Sequence, residues 1–251
     1  LQYSQSFNGL VQSYPCESAI APKGMVNEHL NATLLGLKGI PSLAESLQIA
    51  RDLYILEYTG GRLHIPTIST LESVQLIKQA KKKGLQVSCS VSINNLTLTD
   101  KVLESFDTNY KLMPPLRTPQ DIKALKKALT DGTIDMVTSD HNPIDIEHKK
   151  IEFDHAKYGS IGLESCFGAL QKVTNLETAI QALTQQSVFN ISQSSIAQGQ
   201  KANITLFDPT LKWEFEKEHI ISSSKNAAFL GQTLLGRAYG IINNSQVLLH
   251  E

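Results

Sequence analysis

Residues Gly132 to Asn142 read G-T-I-D-M-V-T-S-D-H-N, and the rest of the chain is organised around them. The pair Asp131-Gly132 is a turn signal, Ile134, Met136 and Val137 form a short apolar run, and Thr138, Ser139, Asp140 and His141 close it. An apolar run bounded by glycine before and polar residues after has the pattern of a buried parallel strand. The polar cluster then sits at the strand's C-terminal end, where (β/α) barrels carry their chemistry. A carboxylate and an imidazole in that place can serve as metal ligand and proton carrier. A plainer reading stands beside this one: Ser139 or Asp140 caps the next helix, and His141 is solvated.

On both sides of this stretch the chain alternates strand, loop and helix. A short strand at Gly9 to Val11 runs into Tyr14, Pro15, Cys16 and Glu17, and Pro15 ends it. A helix is expected over 42–58, with Ser42 and Glu45 as a capping box and Leu43, Leu47, Ala50, Tyr54 and Tyr58 recurring at helical spacing. A strand follows at Arg62 to Ile65, then a helix from Leu71 to Lys83 with Val74, Ile77 and Ala80 inward and three lysines at the negative end of its dipole. The next strand, Leu85 to Val91, ends in Ser92-Ile93-Asn94-Asn95. A helix over Pro119 to Thr130 has proline in its first turn, and further helices are expected at 162–171 and 176–186. The polar loop from Pro143 to Ser160 is long enough to be functional.

From Gly199 onward the pattern is strands and turns, at 203–207, 233–242 and 246–250, with Asn243-Asn244 as one turn. These observations give a (β/α)8, TIM-type barrel whose amino-terminal units lie outside the sequence, over 1–198, and a small β-rich subdomain segment over 199–251. A doubly wound open sheet is the alternative. No G-x-G-x-x-G follows a strand, so dinucleotide binding has no support.

The 251 residues carry a net charge of −1 and are 41% hydrophobic, which fits an α/β domain and gives no basis for nucleic-acid binding. No segment approaches the roughly 20 apolar residues of a membrane span. Leu1 to Asn8 is polar and lacks a basic signal-like start. Three widely spaced cysteines, Cys16, Cys89 and Cys166, make neither a disulfide framework nor a zinc knuckle, so a reducing cytoplasm is expected.

With these motifs in order, the sequence resembles the dihydroorotases, amidohydrolase-superfamily enzymes of pyrimidine biosynthesis. Gly132 to Pro143 looks like the end of their last barrel strand. Gly39 to Asp52, G-I-P-S-L-A-E-S-L-Q-I-A-R-D, is similar to a family helix. Pro114-Pro115-Leu116-Arg117 resembles their N-P-P-L-R element, and Lys157 to Glu164 their loop-to-helix return. Hydantoinases and allantoinases share the fold, but the long G-T-I-D motif favours dihydroorotase.

The resemblance implies a zinc-dependent hydrolase of cyclic amides, interconverting dihydroorotate and carbamoyl-aspartate. It assigns Asp140 as metal ligand and proton shuttle, and His141, Gly159 and Asn94 as substrate contacts. It also marks departures. Tyr14 and Thr67 stand where the family has metal-binding histidines, Met113 replaces the Asn before Pro-Pro, and Ile144 replaces a second His. The family's first-strand H-x-H pair is absent from the sequence. His64, three residues before Thr67, should face the other way and read as packed.

A catalytic zinc needs about three protein ligands, so these changes imply a zinc site that is absent or weakly occupied. Three roles follow: a dihydroorotase, a hydrolase for another cyclic amide, or a non-catalytic homologue that is a structural partner of aspartate carbamoyltransferase. A homo-oligomer is expected. Tyr14, Thr67, Asn94 and Asp140 should converge at one mouth of the barrel, and the loop at 143–159 should be mobile when no ligand orders it.

Overall fold

The computed structural model describes residues 1–184, 187–189, 191, 196–243 and 245–249. The short strand β1 (Leu10–Gln12) leads into a long excursion holding β2 (Val26–Asn27), α1 (Leu30–Leu34) and β3 (Gly39–Ile40). Next come α2 (Leu43–Thr59), β4 (Arg62–Ile65), α3 (Leu71–Lys82), β5 (Val87–Ser92), the one-turn α4 (Ile93–Thr97) and α5 (Pro119–Thr130). The chain continues through β6 (Met136–Thr138), α6 (Cys166–Gln171), α7 (Leu176–Thr184), β7 (Asn203–Glu214), β8 (Thr233–Asn243) and β9 (Gln246–Leu249).

Strands β1, β4, β5 and β6 form one parallel sheet in that order, with Val11 opposite Leu63, His64 opposite Ser88 and Val91 opposite Val137. Consecutive parallel strands with helices in the crossovers are the repeating unit of a (β/α) barrel. All four strands point the same way, so their C-terminal ends share one edge of the sheet. The core lies between sheet and helices and includes Ile49, Leu63, Ile65, Ile77, Val91, Leu125 and Val137. The inward face read for α3 is correct: Val74, Ile77 and Ala80 are buried.

The structure corrects the reading of α2. Ser42 makes no side-chain cap. Glu45 instead turns inward, and its carboxylate accepts from the amides of Ser69 at 2.8 Å and Thr70 at 3.1 Å and from the Ser73 hydroxyl at 2.6 Å. The inward face of α2 is Ala44, Glu45, Gln48, Ile49, Leu53 and Leu56, whereas Leu43, Leu47, Tyr54 and Tyr58 are exposed. Helix α5 behaves as its sequence signals: Thr118 and Asp121 form a complete capping box with Pro119 in the first turn.

Strands β7, β8 and β9 form a separate antiparallel sheet, as expected of the β-rich tail. Between β7 and β8 the chain returns to the barrel, where Phe215, Ile220, Ala227, Ala228 and Phe229 join the main core. The expected ends at Gln186 and His250 and the turn residue Asn244 lie outside the described residues. No helix among the described residues is long and apolar enough to cross a membrane.

Candidate active site

The shared edge of the parallel sheet gathers the four residues expected there. Tyr14 follows β1, Thr67 follows β4, Asn94 follows β5 and Asp140 follows β6. Thr67 and Asp140 both adopt left-handed backbone, at φ 49° and 47°, which turns the chain sharply as it leaves the strand. The Thr67 amide is held by the Ser90 hydroxyl at 3.1 Å. Tyr14 exposes 44% of its surface. Burial of its hydroxyl raises its pKa, with Cys16, Glu45 and Asp140 adding to the rise and Arg117 opposing it. Tyr14 therefore lies within electrostatic reach of Asp140.

Asp140 is a half-buried carboxylate that pairs with no cation among the described residues. Its side chain accepts one hydrogen bond, from Asn142 Nδ2 at 3.1 Å. Burial raises its pKa above the usual carboxylate range, and the Asn142 bond opposes this. His141 Nδ1 faces two backbone amides, Gly162 at 3.2 Å and Leu163 at 3.4 Å. A nitrogen that accepts from both carries no proton, so Nε2 bears the hydrogen and is the ring's donor. Gly162 also packs against the end of β6: a Cβ there would lie 2.3 Å from the Ser139 carbonyl oxygen.

Asn94 is 1% exposed, and neither polar atom of its amide has a partner among the described residues. A buried amide without partners is costly unless a ligand or water satisfies it. Gly159, expected as a substrate contact, lies at the stem of the 143–160 loop. Its amide donates to the Lys111 carbonyl at 3.0 Å and its carbonyl accepts from Asn226 Nδ2 at 3.1 Å, so its backbone already works inside the protein. His64 is a packed residue: it shares a 2.9 Å hydrogen bond with Ser88, sits 5.5 Å from the Phe189 ring, and burial lowers its pKa.

Sequence reasoning missed the residues that brace this mouth. Arg117 is buried beside Glu45 with Nη2 at 3.6 Å, and donates from Nε to Ser69 and from Nη1 to Asn27 and the Ile40 carbonyl. Asn226 clamps both stems of the 143–160 loop. It accepts from the Ile144 amide and donates to the carbonyls of Asn142 and Gly159. Two buried lysines fasten the loop's middle: Lys111 Nζ donates to the carbonyls of Phe153 and Asp154, and Lys149 Nζ to those of Thr108 and Lys157. The loop expected to be mobile makes hydrogen bonds to the body of the protein at both stems and at its middle. The proline pair and Glu45 were visible in the sequence, but Asn226 lies 84 residues from Asn142 with no periodic signal joining them.

Zinc, which the resemblance implies, requires a set of converging donors. Among the described residues no three His, Cys, Asp or Glu side chains come together. With Tyr14 and Thr67 at the neighbouring strand ends, Asp140 has no second and third donor beside it among the described residues to complete a zinc site.

No protein-family model matches the chain. It is 37% identical over 255 residues to a dihydroorotase from Geotalea daltonii, covering 98% of this chain and 60% of that protein. The chain thus spans about 60% of the length of the curated relative it matches. Among solved structures, the dihydropyrimidinase from Brevibacillus agri superimposes with a TM-score of 0.81 at 22% identity, over all of this chain and 59% of the other. An inactive dihydroorotase-like domain of a CAD-like multifunctional protein from Chaetomium thermophilum matches with a TM-score of 0.59 at 20% identity, over 80% of this chain and 55% of that one. These superpositions establish the TIM-barrel fold.

Proposed function

Because the chain is a homologue of the dihydroorotases along nearly its whole length, we propose that it takes a cyclic amide of pyrimidine metabolism, dihydroorotate or its open form carbamoyl-aspartate, at this strand-end mouth in the cytoplasm. The observation that carries the reading is Asp140, a half-buried carboxylate at the end of β6 with no cationic partner among the described residues. Stable proteins rarely leave such a group in a cleft without a task. In this reading Asp140 exchanges a proton with the amide nitrogen. His141 donates from Nε2 to a substrate oxygen, the Asn94 amide gains the partners it lacks, and Gly159 holds the loop stem. Zinc, when bound by relatives of this kind, supplies an activated water; the donors among the described residues do not complete that site.

The test is calorimetric titration of the full-length protein with dihydroorotate and with carbamoyl-aspartate, beside turnover with and without added zinc. Asp140→Asn should weaken binding or turnover by about 10-fold or more, the equivalent of one charge-assisted hydrogen bond. Failure of the unaltered protein to bind either compound would refute the assignment.

A second reading is favoured by Tyr14 and Thr67 in the places of two metal ligands and by the likeness to an inactive dihydroorotase-like domain. In it the protein is a non-catalytic partner of aspartate carbamoyltransferase. Co-sedimentation with that enzyme, without turnover of either pyrimidine precursor at any zinc concentration, would select it. Turnover of a different cyclic amide would instead point to an altered substrate. The division near residue 198 belongs to this proposal as well, with the barrel part carrying the site and the β part bracing it.

A further inference from the structure

A cavity of about 1150 Å³ lies on the outer side of the 143–160 loop. It shares no lining residue with the strand-end mouth: Tyr14, Thr67, Asn94, Asp140 and His141 all stay outside it. Three segments wall it, the turn at 106–109, the loop at 143–152 and the stretch at 217–230 that returns to the barrel. Sites for small molecules usually measure about 300–1,000 Å³, so this one has room for a ligand with a body as well as a charged head.

Its wall carries four ammonium groups, Lys149 and Lys150 from the loop and Lys217 and Lys225 from the returning stretch. Among the described residues none of the four forms an ion pair. Three acids share the wall. Asp107 and Asp145 are turned to their own backbone, where they accept from the amides of Asn109 at 2.8 Å and Glu147 at 2.9 Å. Glu152 is the third. The lysines therefore stand without a carboxylate in contact. Lys149 is the most deeply set, at 5% exposed, and its Nζ donates to the carbonyls of Thr108 and Lys157. An ammonium has three hydrogens, so one remains for a ligand. A buried ammonium held by neutral carbonyls gains when an anion arrives beside it.

The rest of the wall is largely apolar. Phe106 is 46% exposed, Ile146 54% and Ile151 41%, and all three line the cavity. Its floor is the clamp that fastens the loop. Asn226 bonds both loop stems, and the Ser224 hydroxyl beside it donates to the Ile144 carbonyl at 2.5 Å.

We propose that this cavity binds a small phosphate monoester carried on an apolar or aromatic body, and that its occupancy stiffens the 143–160 loop. A phosphate monoester brings nearly two negative charges and three strong acceptor oxygens. That suits lysines that converge from two separate segments, where a carboxylate would bring half the charge. Lysine binds phosphate as a point charge, and Phe106 offers a face to the body. A ligand that joins Lys150 on the loop to Lys217 on the returning stretch ties together the same two segments that Asn226 clamps. The stem so held begins at Asn142, two residues beyond Asp140.

The experiment is calorimetric titration of the full chain with phenyl phosphate, inorganic phosphate and benzoate. Phenyl phosphate should bind about 10-fold more tightly than either, since inorganic phosphate lacks the ring and benzoate the second charge. Lys150→Gln with Lys217→Gln should weaken it by about 10-fold or more with the melting temperature retained, because both side chains are exposed. Phe106→Ala should weaken phenyl phosphate and leave inorganic phosphate unchanged. Amide exchange at Ile144 and along the loop should slow by roughly 10-fold on saturation. The mouth is tested apart from this cavity: Asp140→Asn should keep phenyl phosphate binding, and the paired lysine variant should keep dihydroorotate binding. No binding of phenyl phosphate at millimolar concentration overturns the proposal. So does affinity that survives loss of both lysines, benzoate that binds as tightly, displacement of phenyl phosphate by dihydroorotate, or loop exchange that does not change.

Discussion

Asp140 and its neighbours show how far single substitutions reach. Tyr14→His with Thr67→His would return two imidazoles to the strand ends. The left-handed backbone at Thr67 tolerates histidine better than a β-branched residue. Hydrolysis should still not return, because Met113 and Ile144 offer no hydrogen bonds to a polar ring and carboxylate. Each unmet bond costs about 1–3 kcal/mol, so two lower binding by roughly 10- to 10⁴-fold. Assay of the double variant with carbamoyl-aspartate and dihydroorotate in excess zinc checks this; turnover at ordinary dihydroorotase rates would show that the ligands were the only defect. Lys149 gives a pH signature. Burial pushes its ammonium down to about 8, with Asp107 opposing and Lys111 adding to the fall. The unfolded chain keeps lysine near 10.5, so between pH 8 and 10.5 the unfolded state binds more protons and stability rises with pH. This contribution is at most about 3 kcal/mol. In urea titrations the stability of unaltered protein minus that of Lys149→Met should grow across that window, and a flat difference would count against it.

At the scale of elements, the mouth is held by polar bracing as well as by the sheet. Arg117→Met would leave the Glu45 carboxylate buried without its cation and should cost about 3–5 kcal/mol in denaturant unfolding; a loss below 1 kcal/mol would mean that the amides of Ser69 and Thr70 suffice. Asn226→Leu removes three backbone contacts from the stems of the 143–160 loop. Amide exchange at Ile144 and along the loop should speed by roughly 10- to 100-fold, equivalent to about 1–3 kcal/mol of lost local stability. Unchanged protection would place the clamp elsewhere. These elements also show where sequence is informative. The extents of β4, α3 and α5 could be read closely because Gly, Pro and apolar spacing act locally. The inward face of α2 could not, because it holds Glu45 and Gln48 while its better apolar stripe faces out. A buried glutamate looks like a capping residue until Ser69, Ser73 and Arg117 are known to surround it.

For the whole molecule, the parallel sheet and the separate β tail follow from alternation and composition, and linked family motifs supplied the barrel. The return of Phe215 to Gln232 to the barrel did not follow, since a short apolar stretch after a strand carries no record of the surface it will meet. One consequence of the sheet's order concerns synthesis. Each strand of this sheet pairs with the next strand of the sheet along the chain, so the mouth can be laid down as the polypeptide leaves the ribosome. Tyr14 comes first, then Thr67, Asn94 and, once β6 docks on β5, Asp140. The clamp arrives later, because Asn226 is 84 residues beyond Asn142. A nascent chain halted in that interval presents its carboxylate with the neighbouring loop still unfastened. Translation speed between those two points sets how long that stage lasts.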